Sequence, residues 1–245
     1  MNYKFLGNSI DLMKWYLLSA HISTDGPALY YVPMITEPKP RSYDPKLMVN
    51  EIGAEYTYLY NLMQQFFESE QELDPGCIRE FFDTSGRDIK IFSRMRASKS
   101  YFTDAERKTY FTRALDMFQK MKQHMVVYID PDVGVDLNLK RRFRSNKEMY
   151  IQSEELRSFK ELLTPGDALV CFQHLGNSSY KLEDRLSDLK QAFGPCVFIA
   201  GYTRIQGSFI HIFCSEDDYG QYYERTKQRF DQYQDFKHFD KLFIQ

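Results

Sequence analysis

The chain has 245 residues, 43% hydrophobic and 27% charged, which suits one folded domain, or one domain with an inserted subdomain, with a substantial core. A formal net charge of −2 excludes a globally basic nucleic-acid binder, so any such binding must come from local patches. No run of 18 apolar residues occurs, so no transmembrane helix is predicted.

The opening Met1-Asn2-Tyr3-Lys4-Phe5 lacks the features of a signal peptide. The four cysteines, at 77, 171, 196 and 214, form no C-x-x-C pair. They read as reduced thiols in a cytoplasmic protein. The five histidines show no zinc spacing. Eighteen tyrosines and twenty phenylalanines serve mostly as core, with a surplus that offers stacking surfaces for bases.

Asn8 or Ser9 caps a first predicted helix reaching about His21, with Ile10, Met13, Leu17 and Leu18 near helical spacing. Asp25-Gly26-Pro27 breaks it, and 28–34 is a β-rich run followed by an extended, proline-punctuated loop over 36–45. A Tyr- and Phe-rich helix is predicted over 52–70, within a stretch (45–105) that reads as a helical insertion. A stronger helix from Thr103 or Asp104 to about Met121 feeds a strand over 125–129. Ser153 caps a short helix that ends at Thr164-Pro165-Gly166, followed by a strand over 168–173 and a helix over 182–193. Strands over 197–202 and 208–213 form a hairpin, and a charged, aromatic helix begins near Glu216. The alternation predicts a three-layer, mostly parallel, Rossmann-type sheet with an antiparallel C-terminal hairpin.

The most informative segment is Val126-Val127-Tyr128-Ile129-Asp130-Pro131-Asp132-Val133-Gly134-Val135-Asp136. It sets a carboxylate turn at the C-terminal end of an apolar strand, where open α/β sheets bind ligands. Asp130 and Asp132 share a face if the segment is extended, and crowded carboxylates suit a general base that activates water. A divalent metal between Asp130, Asp132 and Asp136 is an alternative, as is a plain Asp136–Lys140 pair. Downstream, Lys140, Arg141, Arg142, Arg144 and Lys147 place five basic residues in eight, a candidate phosphate-binding segment. Arg94, Arg96 and Lys99 form a weaker one. Gln173 and His174 close the next predicted strand, where an amide can read a base edge and an imidazole can contact a base or move a proton. Glu37 and Asp44, in the loop after the first strand, could add a catalytic carboxylate.

Gly7-Asn8-Ser9-Ile10-Asp11-Leu12-Met13-Lys14 is a second polar constellation, at a helix start. By itself it is a capped helix with an i,i+3 ion pair. Its Gly7-Asn8-x-x-Asp11-x-x-Lys14 pattern resembles the segment that opens the bacterial 23S ribosomal RNA adenine-N6 methyltransferase family. There it helps form the substrate-base and cofactor pocket. Asp130-Pro131 after an apolar strand is similar to the start of that family's D-P-P-aromatic motif. The chain also resembles an uncharacterised bacterial group with a strand–D-P-D-x-G motif and a later Q-H, here Asp130-Pro131-Asp132-Val133-Gly134 and Gln173-His174. The resemblance implies a methyltransferase-like fold and a pocket for a base.

The departures redirect the chemistry. A cofactor loop needs glycines for close backbone approach, yet after Met34 the chain reads Ile35-Thr36-Glu37-Pro38-Lys39-Pro40. No cofactor is therefore expected. Where the family has a second proline and an aromatic, Asp132 and Val133 stand. A carboxylate gained and a stacking ring lost fit hydrolysis better than methyl transfer. The expectation is an S-adenosylmethionine-independent enzyme on nucleic acid, DNA first, that excises a modified base, with phage defence as its setting. Asp130, Asp132, Lys14 and Asp44 would be catalytic; Asn8, Tyr3, Phe5, Gln173 and His174 would hold the base. An adenine-N6 methyltransferase, a metal-dependent nuclease and a non-catalytic nucleic-acid-binding module are the alternatives.

Overall fold

The computed structural model describes residues 14, 18, 27–36, 89–92, 102–137, 147–174, 182–202, 207–232 and 242–244. Lys14 and Leu18 are helical, as the first predicted helix requires. The strands are β1 (Ala28–Pro33), β2 (Ile89–Ile91), β3 (Met125–Asp130), β4 (Gly134–Asp136), β5 (Tyr150–Gln152), β6 (Ala168–His174), β7 (Val197–Tyr202), β8 (Gly207–Ile212) and β9 (Leu242–Ile244). The helices are α1 (Arg107–Gln119), preceded by a 3-10 turn, α2 (Ser153–Lys160), α3 (Leu182–Phe193) and α4 (Glu216–Gln232).

Seven strands form one sheet in the order β2-β1-β3-β6-β8-β7-β9, while β4 and β5 make a separate parallel ribbon. The pairs β2–β1, β1–β3 and β3–β6 are parallel. β8 runs against both β6 and β7, and β9 runs against β7. The architecture is thus α/β, with a mostly parallel central sheet and a small antiparallel part. The predicted hairpin is present, and β8 inserts itself between β6 and β7.

Alternation along each strand splits the sheet into two chemically different faces. Tyr30, Val32, Val127, Ile129, Leu169, Cys171, Ile199 and Ile210 belong to an aliphatic core that also holds Ala114, Phe118, Phe159, Leu189 and Phe193 from α1, α2 and α3. The Tyr30 hydroxyl donates to the Ala114 carbonyl at 2.9 Å, so the ring packs flat under α1 without an unsatisfied polar tip. The opposite face is aromatic. Tyr31 stacks on Tyr128 at 5.2 Å, Phe209 meets Tyr128 and Phe172 edge-on, and Phe198 stacks on His211 at 4.3 Å. Tyr219 and Tyr223 of α4 cover Phe198, which makes this the third layer.

Four short strands, Leu242–Ile244 among them, differ from the sequence reading. Ile89–Ile91, in the segment read as a helical insertion, pairs with Leu29, Tyr30 and Tyr31, so part of that segment belongs to the sheet. The rest of 45–105 lies outside the described residues, apart from Phe92 and the chain from Phe102 onward. The β4–β5 ribbon pairs only three residues on each side, too few for a periodic signal. Gln152, not Ser153, is the cap of α2; its backbone N–H donates to the Glu155 carboxylate at 2.8 Å.

Candidate functional site

From β1 the chain joins β2 on one side of the sheet and β3 on the other, so β1 and β3 flank a topological switch point. Connections that leave in opposite directions open a crevice beyond the strand ends. Register places Pro33 opposite Asp130 there, and the Met34 N–H donates to the Asp130 carbonyl at 3.2 Å. Pro131 cannot continue the ladder and ends β3.

Asp130 falls on the aromatic face, two residues beyond Tyr128, and is fully buried. Both its carboxylate oxygens are held. Lys14 Nζ approaches Oδ1 at 3.1 Å, and the Tyr31 hydroxyl donates to Oδ2 at 2.8 Å. Lys14 is itself buried, with Nζ 3.7 Å from the centre of the Phe172 ring, a cation–π contact. The pair joins residues 116 positions apart, one from each motif singled out in the sequence. Desolvating two charges costs several kcal/mol each, so an ion pair on an apolar face is no simple gain in stability. Nearby, burial pushes the Cys171 thiol well up, and the Asp130 charge adds to this, leaving a neutral thiol.

The turn carrying Asp132 is clamped from below. Gly134 has φ +139°, and a Cβ there would lie 2.5 Å from the Gln173 side chain. Glycine lets the turn lie directly on that amide. Gln173 Oε1 accepts from the Val135 N–H at 3.0 Å and from Arg185 at 2.6 Å, while Nε2 donates to the His174 carbonyl at 2.7 Å. Arg185 also donates to the Val135 carbonyl at 2.8 Å. The β5 side is tied by the Val133 N–H to the Met149 carbonyl, at 2.9 Å. Beneath it, buried Arg107 bonds Glu155 at 2.6 Å and the Lys147 and Tyr150 carbonyls at 2.6 and 2.9 Å. Burial raises the Glu155 carboxyl above its usual range, against the lowering effects of the Gln152 N–H and Arg107.

The structure therefore pairs Lys14 with Asp130 on the aromatic face, while Gln173, in phase with Cys171, meets the turn after Asp132 from the aliphatic face. Asp132 is half-buried, and His174 is exposed at the end of β6 with its ring 6.3 Å from that of Phe172. Gln173 holds the turn through both ends of its amide. Lys147 is exposed at the start of a 3-10 turn. Tyr3, Phe5, Asn8, Glu37, Asp44, Arg94, Arg96, Lys99, Lys140, Arg141, Arg142 and Arg144 lie outside the described residues. Tyr31, Phe172, Arg185 and Arg107 were missed in the sequence. Tyr31 and Phe172 sit in apolar strand runs that read as core, and only strand register reveals their neighbours. Among the described residues, no three His, Cys, Asp or Glu side chains are grouped to hold a metal, the Asp130, Asp132 and Asp136 trio included. No described helix is long and apolar enough to cross a membrane. Compared with known proteins, the chain matches no family model and, at a significant level, no curated sequence.

Proposed function

We propose that this chain is an enzyme that removes a base from nucleic acid, DNA first, by hydrolysis in the crevice at the C-terminal ends of β1 and β3. The observation that carries the reading is the buried Lys14–Asp130 pair at the switch point. Two motifs that separately suggest a base pocket meet there, on an otherwise aromatic face. The strand reversal at β1 and the antiparallel hairpin support a methyltransferase-like ancestry for the sheet. The loop after β1 argues for chemistry without a methyl donor. Met34, Ile35 and Thr36 are all buried, and the next glycine is Gly53, so side chains occupy the start of the usual cofactor cradle.

In this reading the target nucleotide flips out of its stack. Tyr3 or Phe5 stacks on the base and Asn8 reads its edge, with His174 at the rim. As the bond from C1′ to the base nitrogen breaks, positive charge develops on the sugar. Asp130 handles the proton that the departing base takes up. Asp132, on its clamped turn, takes a proton from the water that completes hydrolysis, and Asp44 is a second candidate. Lys140, Arg141, Arg142, Arg144 and Lys147 hold the phosphate backbone.

The test is release of free base from oligonucleotides that carry normal and modified bases. Asp130→Asn should lower the rate by about 10²- to 10⁴-fold while nucleic-acid binding persists. A fully active Asp130→Asn protein would refute the reading. One observation favours a second reading, an adenine-N6 methyltransferase: Asp130-Pro131 ends the strand that flanks the switch point, where that family's motif would stand. Saturable micromolar binding of S-adenosylmethionine by calorimetry would establish this alternative instead.

A further inference from the structure

We infer that Lys14 is an amine nucleophile that captures C1′ of the target sugar as an imine; this rests on the base-removal reading and names its covalent step. Lys14 Nζ lies 3.1 Å from Asp130 Oδ1 and 3.7 Å from the Phe172 ring centre, in a site closed to solvent. Lysines become nucleophiles when they are desolvated and a neighbouring group accepts their proton. Asp130 is placed for both duties that imine formation demands, accepting the amine's proton and returning one to a leaving group. Tyr31, donating to Oδ2 at 2.8 Å, holds the other oxygen so that Oδ1 faces the amine.

The step balances as follows. Nζ passes a proton to Oδ1, and its lone pair attacks C1′. The bond from C1′ to the base nitrogen breaks, its electron pair leaves with the base, and the base takes the proton from Asp130. The C1′–O4′ bond then opens, O4′ taking one proton from Nζ and leaving a protonated C1′=Nζ imine. Water hydrolyses this imine, restoring the lysine ammonium and freeing a C1′ aldehyde. A preformed abasic site, which already carries that aldehyde, condenses with the same amine and releases water.

The chemistry can thus be probed without knowing the base. The full-length protein is mixed with an oligonucleotide bearing one abasic site and with sodium cyanoborohydride, which reduces an imine to a stable secondary amine. The expected result is a covalent protein–DNA adduct whose mass maps to Lys14 and which is lost in Lys14→Arg. Removing one partner leaves a buried charge unpaired, so the double variant Lys14→Gln with Asp130→Asn is measured beside it, with thermal melting to confirm folding. The folded double variant should also form no adduct. Absence of an adduct in the wild type, or an adduct that maps elsewhere and persists in the folded variants, overturns the inference. Base release without an adduct overturns it while leaving base removal intact, with water as the nucleophile. Neither release nor adduct overturns both. An adduct at Lys14 without base release upholds the amine's role and overturns excision.

Discussion

Lys14, Asp130 and Tyr31 show how a single side chain's surroundings decide what it can do. Asp130 sits where the sheet offers rings, with Lys14 on one carboxylate oxygen and the Tyr31 hydroxyl on the other. Removing one partner of a buried ion pair typically costs about 3–5 kcal/mol, whereas removing both is often neutral. Lys14→Met and Asp130→Asn should each fall in that range by chemical denaturation, and the double variant should recover most of the loss. Additive losses would show that the two side chains do not depend on each other. Gly134 is the other residue with a sharp prediction. At φ +139°, with Gln173 in the place of a Cβ, Gly134→Ala must both strain the backbone and push the amide away. A loss of about 1–3 kcal/mol is expected from the strained backbone alone. Pairing it with Gln173→Ala should relieve the contact but not the φ penalty, leaving the double variant less stable than Gln173→Ala alone.

Among the elements, the β4–β5 ribbon is the piece whose stability bears most on the site, because it carries the turn after Asp130. Three paired residues a side hold it, so it relies on Arg107 from α1 and Glu155 from α2. Glu155 has its carboxyl raised by burial, and the sign of its pH dependence follows. A group that binds its proton more tightly when folded stabilises most below its unfolded value, here 4.5, and loses that contribution as pH rises through the folded value. Wild-type stability relative to Glu155→Gln should therefore decline as pH climbs above about 4.5. Melting curves of the two proteins across that range check this, and a difference that stays flat or grows would refute it.

For the whole molecule, net charge −2 means that attraction to nucleic acid must be local. Lys140 to Lys147 is the densest basic stretch considered, and it follows directly on the site strand and its turn. Replacing Arg141, Arg142 and Arg144 with Ala should flatten the dependence of log affinity on log salt by about 2 to 3 units if each contacts a phosphate. An unchanged slope would make the segment a solvated loop. The fold supplies the complementary feature, a switch point beside β1 that gathers residues from the two ends of β1 and β3 and from Lys14.

The apolar runs, their alternation and the proline and glycine stops were enough to read most of the long elements, including the hairpin and the strand that ends at Asp130. These signals are local, and the physics that produces them acts within a dozen residues. The same is true of Asp130, Asp132, Lys14, Gln173 and His174 as polar residues at element ends. What no local pattern holds is partnership. That Lys14 would reach Asp130 across 116 positions, that Tyr31 would donate to it, and that Gln173 would spend its amide on the Gly134 turn depend on strand order and register. Ile89–Ile91 became a strand because β1 offered it an edge, and Arg107 became a clamp because three elements converge on it. Hydrophobic periodicity chose the elements and their faces; only packing those faces together chose which charges met inside.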